Sequence, residues 1–145
     1  MEFQERLPQF QTLLDGEADL AFFPISADLQ YLTTVPRDIP NYGAVIHPGD
    51  WLEGAWLTPA HAPVLALPRM SAEFGGLERV KGIDLRVLGD FDDPQVFLKN
   101  ILDSFDLPAN PRIAIGDKAL GETISGLHKL LPGATFISAT DILRQ

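Results

Sequence analysis

The sequence contains no cysteine. This excludes a disulfide framework and a thiolate metal site, and it fits a reducing compartment. A chain of 145 residues buries about 70% of its unfolded surface on folding, so it needs neither kind of cross-link to hold a core. Hydrophobic residues make up 46% and charged residues 21%, which is typical of a globular domain. We therefore predict one domain over residues 1–145.

Positive charge is scarce. The chain has 20 acidic and 11 basic residues, and its formal net charge is −9. Such a surface repels nucleic-acid phosphates and anionic membranes. No basic cluster offsets this charge, because the segment that contains Arg69, Arg79, Lys81 and Arg86 also contains Glu73, Glu78 and Asp84. We expect no nucleic-acid partner and no membrane partner.

Long apolar runs are also missing. No stretch approaches the ~20 apolar residues of a membrane-spanning helix. Residues 1–6 contain no basic start followed by an apolar segment, so no signal peptide is predicted. We expect the protein to reside in the cytoplasm.

Residues that could bind a metal or perform catalysis do not cluster. The three histidines, His47, His61 and His128, lie far apart, and none has HExxH or HxH spacing. The densest acidic group is Asp90, Asp92 and Asp93, which we interpret as a solvated turn and a helix start. No serine lies in a GxSxG motif, and no glycine-rich phosphate loop occurs. We predict neither a catalytic residue nor a metal site in this chain.

The first half of the chain predicts helices and a hairpin. Apolar residues at helical spacing indicate a first helix that begins near Leu7 or Pro8 and ends near Gly16. Residues 19–24 read as a buried strand, and Ser26 can cap a second short helix. Residues 44–46 suggest a strand, and residues 52–57 and 64–67 suggest a hairpin with a proline-rich tip.

The second half predicts strands that alternate with helices. Residues 85–88, 112–115 and 134–137 read as strands. Asp93 followed by Pro94 is typical of a helix start, and Asp117 is expected to cap a later helix. The predicted buried face of that later helix consists of Leu120, Ile124, Leu127 and Leu131. Crossover connections imply parallel strands and the hairpin implies antiparallel ones, so we predict an α/β domain with a mixed, partly parallel sheet.

Aromatic residues near the loops are the candidates for a binding surface. Arg37, Tyr42, Trp51 and Trp56 lie close to the proline-rich segments, and such residues often line a contact surface or the mouth of a pocket. Packing of the rings in the core or its rim is the alternative, and it is the one we favour. If the three rings face another domain or subunit, the chain exposes a large apolar patch.

Several short motifs occur in a fixed order. Arg6 in the first helix is followed by Leu13-Leu14-Asp15-Gly16, by Ala-Asp-Leu-Ala at residues 18–21 and by Tyr31-Leu32-Thr33. Later motifs are Ile-Ala-Ile-Gly at residues 113–116, Leu-Pro-Gly-Ala-Thr-Phe at 131–136 and Asp-Ile-Leu-Arg at 141–144. This order resembles the creatinase/prolidase N-terminal domain, the front part of Xaa-Pro dipeptidases, aminopeptidase P and creatinase. The resemblance covers essentially the whole chain.

The resemblance implies a three-layer α/β/α fold around a mixed sheet, similar to ribonuclease H. It also implies that the chemistry belongs to a separate C-terminal domain, in which two divalent metals such as manganese or cobalt are bound by Asp, His and Glu. That domain is expected to be absent from this chain, and the segment alone is expected to be inactive. The implied partners are its own catalytic domain and a second subunit in a homodimer, with a proline-containing peptide as the parent's substrate.

The sequence departs from the family at two places. Thr34 stands where the family usually has glycine, so the turn after that helix can differ. Residues 36–74 match only loosely, so no substrate-contacting position is carried over. The leading hypothesis is an accessory domain that contributes to oligomerisation and to the active-site mouth. The alternatives are a stand-alone binding module of the same fold and a ribonuclease H-like nuclease, which the lack of clustered carboxylates and of a basic groove disfavours.

Overall fold

The computed structural model describes residues 3–37, 49–74 and 82–145. The helices are α1 (Phe3–Leu14), α2 (Ala27–Thr33), α3 (Arg69–Phe74), α4 (Pro94–Asp103), α5 (Gly121–Leu130) and α6 (Ala139–Leu143). The strands are β1 (Leu20–Pro24), β2 (Gly54–Leu57), β3 (Val64–Pro68), β4 (Asp84–Leu88), β5 (Arg112–Ile115) and β6 (Thr135–Ser138). A short 3-10 helix, Asp50–Leu52, precedes β2.

The strands form a six-stranded sheet in the order β4-β3-β2-β1-β5-β6. Strand β2 is antiparallel to both of its neighbours, β1 and β3, and the remaining pairings are parallel. The other five strands therefore all point the same way, and their last residues lie along one edge, which we call the carboxyl edge. The mixed sheet and the β2–β3 hairpin that the sequence predicts are confirmed.

Helices cover both faces of the sheet because successive side chains of a strand point to opposite sides. In β1, Ala21 and Phe23 join a core with apolar residues of α1, α2, α3 and α6. The alternate residues Leu20 and Phe22 join a second core with α4, α5 and the 3-10 helix. The result is the three-layer α/β/α arrangement that the resemblance implies. No helix among the described residues has the length and apolar character needed to cross a membrane.

Side chains cap two helices as the sequence predicts. Ser26 accepts a hydrogen bond from the Leu29 amide at the start of α2, at 3.3 Å. Asp93 accepts from the Gln95 amide at the start of α4, at 2.8 Å, and Pro94 occupies the first helical position. Both caps satisfy amides that have no partner within the helix.

Two helix starts differ from their predictions. Helix α1 begins at Phe3, and Pro8 lies inside it, although a proline within a helix removes one backbone hydrogen bond and crowds the carbonyl four residues earlier. Helix α5 is capped by Leu120 and not by Asp117, and no side-chain oxygen bonds its first amides. The suggested strand at residues 44–46 lies outside the described residues.

The buried face of α5 was also predicted incorrectly at two positions. Leu120 is 50% exposed and Ile124 is 41% exposed. The residues that face the core are Thr123, Gly126 and Leu127. Hydrophobic periodicity cannot identify this face, because a threonine and a glycine form the contact with the neighbouring Trp51.

Candidate functional site

The two tryptophans among the predicted site residues belong to the core. The Trp56 ring is buried and lies 4.2 Å from the Phe22 ring, centroid to centroid. Its indole nitrogen donates a hydrogen bond to the Leu52 carbonyl at 3.0 Å, so the polar atom of the ring has a partner. Trp51 is also buried. Neither ring is part of an exposed apolar patch, and the core alternative holds for both.

Trp51 is held by helix α5. The Thr123 hydroxyl donates a hydrogen bond to the Trp51 carbonyl at 2.6 Å. A Cβ atom placed on Gly126 would lie 2.5 Å from a carbon of the Trp51 ring. Only glycine lets the helix backbone approach the ring so closely.

Arg37 is exposed, and Tyr42 lies outside the described residues. Arg37 follows the turn that ends α2, where its amide lies 3.4 Å from the side-chain oxygen of Gln30. In that turn Thr34 has a φ of 67° and caps the helix through its amide, which donates to the Gln30 carbonyl. The threonine thus adopts the left-handed conformation that glycine favours, so its presence does not prevent such a turn.

A polar cluster joins three elements at the carboxyl edge. The Ser138 hydroxyl donates to Asp117 Oδ1 at 2.7 Å. The Thr140 hydroxyl accepts from the Asp117 amide at 2.9 Å and donates to Asp28 Oδ2 at 3.2 Å. Both carboxylates accept hydrogen bonds within the domain, so the cluster serves to connect α2, the loop after β5 and α6.

An open groove of about 430 Å³ lies at the opposite edge of the sheet. His61 is fixed at its rim, because its Nδ1 lies 2.6 Å from the Thr58 hydroxyl. The Gln11 amide donates to the carbonyls of both Thr58 and His61, at 2.9 Å and 2.8 Å. The charged residues that line the groove are Asp15, Glu17, Asp19, Asp106 and Arg112. Small-molecule sites are mostly apolar with a few polar groups, so this charged groove is a poor match for one.

The histidines considered above as metal ligands lie in different parts of the fold where the structure describes them. Within residues 3–37, 49–74 and 82–145, no three His, Asp or Glu side chains converge closely enough to hold a metal ion. His61 lies at the tip of the β2–β3 hairpin and His128 on an exposed part of α5. His47 lies outside the described residues.

The carboxyl edge also presents an exposed aromatic residue that is not among the candidates predicted from the sequence. Phe91 lies in the turn of residues 89–93, which we call the Phe91 turn, and its surface is fully exposed (101%). Asp92 closes the turn: its Oδ2 accepts from the Gly89 amide at 2.7 Å, and its own amide donates to the Gly89 carbonyl at 3.1 Å. The available signal was a phenylalanine among three aspartates, Asp90, Asp92 and Asp93.

Comparison with solved structures identifies the fold. The chain is similar to a dipeptidase from Pyrococcus horikoshii OT3, with a TM-score of 0.72, 21% identity, and coverage of 96% of this chain and 35% of that chain. It is similar to a prolidase from Thermococcus sibiricus, with a TM-score of 0.75, 14% identity, and coverage of 99% of this chain and 36% of that chain.

A third structure is matched over its whole length. This is the creatinase/prolidase N-terminal domain of an X-Pro dipeptidase from Streptococcus pyogenes, with a TM-score of 0.70, 20% identity and coverage of 97% of each chain. Neither a protein-family model nor a curated protein matches the sequence. The chain has the fold of a creatinase/prolidase N-terminal domain, and it spans about a third of the P. horikoshii and T. sibiricus enzymes.

Proposed function

We propose that this chain is the non-catalytic accessory domain of an Xaa-Pro dipeptidase-like or aminopeptidase P-like metallohydrolase. The observation that carries the proposal is the coverage. The match includes 96% of this chain but only 35% of the P. horikoshii dipeptidase, whereas it includes 97% of an isolated N-terminal domain. A catalytic domain with two divalent metals, such as manganese or cobalt, would supply the chemistry.

In this proposal the domain narrows the entrance to the active site. Arg37 is exposed after α2, and together with Tyr42 it is our candidate for a contact at that entrance. A wall at the entrance excludes long chains and so favours short, proline-containing peptides. The domain would also contribute to a homodimer. The buried Trp51 and Trp56 have a structural role in this scheme.

The first test of the proposal is to sequence the DNA beyond the codon for Gln145 and the neighbouring open reading frames. We expect a metallohydrolase domain of roughly 250 residues, the size that completes a two-domain enzyme. A stop codon with no such domain nearby would contradict the proposal and favour a stand-alone binding module.

A complementation assay tests the role directly. The catalytic domain is produced alone and together with this chain, and cleavage is measured on an Xaa-Pro dipeptide and on a longer peptide. We expect the chain to raise the ratio of kcat/KM for the dipeptide to that for the longer peptide. An unchanged ratio despite a formed complex would contradict a role at the active-site entrance.

A further inference from the structure

We infer that the Phe91 turn is the contact through which this domain docks on its catalytic partner, and that the partner offers an apolar pocket rimmed by lysine or arginine. The inference rests on the proposed function, because it names the surface that the catalytic domain covers. It is drawn from the exposure of one aromatic ring, the rigidity of its turn, the charge around it and its place in the fold.

The ring is exposed, and the backbone turn that carries it is closed by hydrogen bonds. Phe91 is fully exposed, and Val96, on the first turn of α4, is 57% exposed. Asp92 closes the turn by its bonds to Gly89, and Asp93 fixes the start of α4. A turn that is already closed loses little backbone entropy when its side chain enters a pocket, so more of the gain from burial of the ring is retained.

The charged residues beside Phe91 indicate which charge a complementary partner carries. The turn contains Asp90, Asp92 and Asp93. Within the described part of the chain they make one ion pair, the salt bridge of Asp90 with Arg69 at 3.1 Å. The hydrogen bond to Asp90 raises the pKa of Arg69 further above its ordinary value, and the charges of Asp90 and Glu73 act in the same direction. The turn therefore keeps an excess of negative charge, which favours a basic rim on the partner. A second copy, with its net charge of −9, fits poorly.

The position of the turn matches a domain that follows this one. The Phe91 turn directly follows β4, so it lies at the carboxyl edge, and α6 begins at the same edge after β6. Strands β4 and β6 are the two ends of the sheet, about 24 Å apart at the usual strand spacing. A domain of roughly 250 residues is about 45 Å across. A domain that continues from Gln145 is thus wide enough to cover Phe91.

The test measures the Kd between this chain and the metallohydrolase domain encoded with it, produced separately, by titration calorimetry. We expect Phe91→Ser to weaken binding about 10- to 100-fold, the loss that corresponds to burial of a phenylalanine ring. The matched control is Leu120→Ser, which removes a half-exposed apolar side chain from the same edge of the sheet and is expected to weaken binding much less than Phe91→Ser does, because Leu120 lies outside the Phe91 turn. Binding should also weaken as salt is raised, because salt screens the charges at the rim.

Hydrogen exchange measured on the complex shows whether the Phe91 turn or another segment forms the contact. Slower exchange of residues 89–96 on binding is the expected result. If wild-type chain binds but Phe91→Ser binds equally well, and other segments are protected, the inference is wrong and the proposed function stands. If the wild-type chain does not bind the catalytic domain, both are overturned. An unchanged unfolding midpoint for Phe91→Ser verifies that the variant is folded.

Discussion

Thr34 adopts a backbone conformation that costs a β-branched residue free energy. Its φ of 67° places it in the left-handed region, where a side-chain Cβ approaches the following carbonyl at a cost of roughly 1–2 kcal/mol. The turn nevertheless forms, because the Thr34 amide closes α2 on the Gln30 carbonyl and the neighbouring Val35 is buried in the core.

We therefore predict that Thr34→Gly stabilises the domain by about 0.5–1 kcal/mol, since the relief of strain exceeds the greater entropy that glycine gives the unfolded chain. Urea unfolding measures the difference. Thr34→Ala is the matched control, because it also removes the hydroxyl but keeps Cβ, and we expect no stabilisation from it. Equal stability of the glycine and alanine variants would contradict the account of strain.

Single residues differ in how far the sequence reveals their roles. Ser26 and Asp93 were identified as caps because capping depends on neighbours within three residues along the chain. The sequence leaves core packing of Trp51 as one of two interpretations, because its contacts with Thr123 and Gly126 join residues more than 70 positions apart. The sequence does not indicate that Phe91 is exposed, because an isolated phenylalanine is usually buried.

Helix α5 shows how one contact orients an element. Its apolar residues at helical spacing indicate one face, yet the helix turns Thr123 and Gly126 toward the core and leaves Leu120 and Ile124 half-exposed. The physical reason is the Trp51 ring, which occupies the space that a Cβ of Gly126 would take. Burial of a tryptophan removes more apolar surface from water than burial of either aliphatic residue.

We predict that Gly126→Ala destabilises the domain by about 1–2 kcal/mol. The added methyl group forces the ring or the helix to move, and this overpacking exceeds the better helix propensity of alanine. The control is Gly121→Ala in the same helix, where an added Cβ meets no atom within 4 Å. Chemical unfolding measures the free energy of unfolding of both variants. The control should be neutral or stabilised by up to about 1 kcal/mol. Equal effects of the two substitutions would show that Trp51 does not constrain α5.

For the whole molecule, the fold class could be predicted and the strand order could not. Alternation of strands and helices after residue 84 indicates crossovers, and the short connection between β2 and β3 indicates a hairpin. The pairing of β1 with β5 and of β3 with β4 depends on contacts between distant segments, which local patterns do not encode. The resemblance in motif order implied the three-layer fold, and the solved structures confirm it.

The surface that we propose for the partner, like the strand order, could not be located from the sequence. The exposed surface of Phe91 and the closed turn beneath it become visible only after folding, whereas the aromatic residues nearest the predicted loops include two in the core. The sequence thus predicted the kind of domain, and the structure was needed to locate a surface for its partner.

Hydrolysis of an Xaa-Pro dipeptide by the purified chain of 145 residues, assayed with manganese or cobalt, tests whether this domain carries out chemistry by itself. We expect no turnover above a metal-only blank, because we assign the metal-binding groups to a separate catalytic domain. Cleavage that depends on both the chain and the metal, and that is abolished by a chelator, would contradict that assignment.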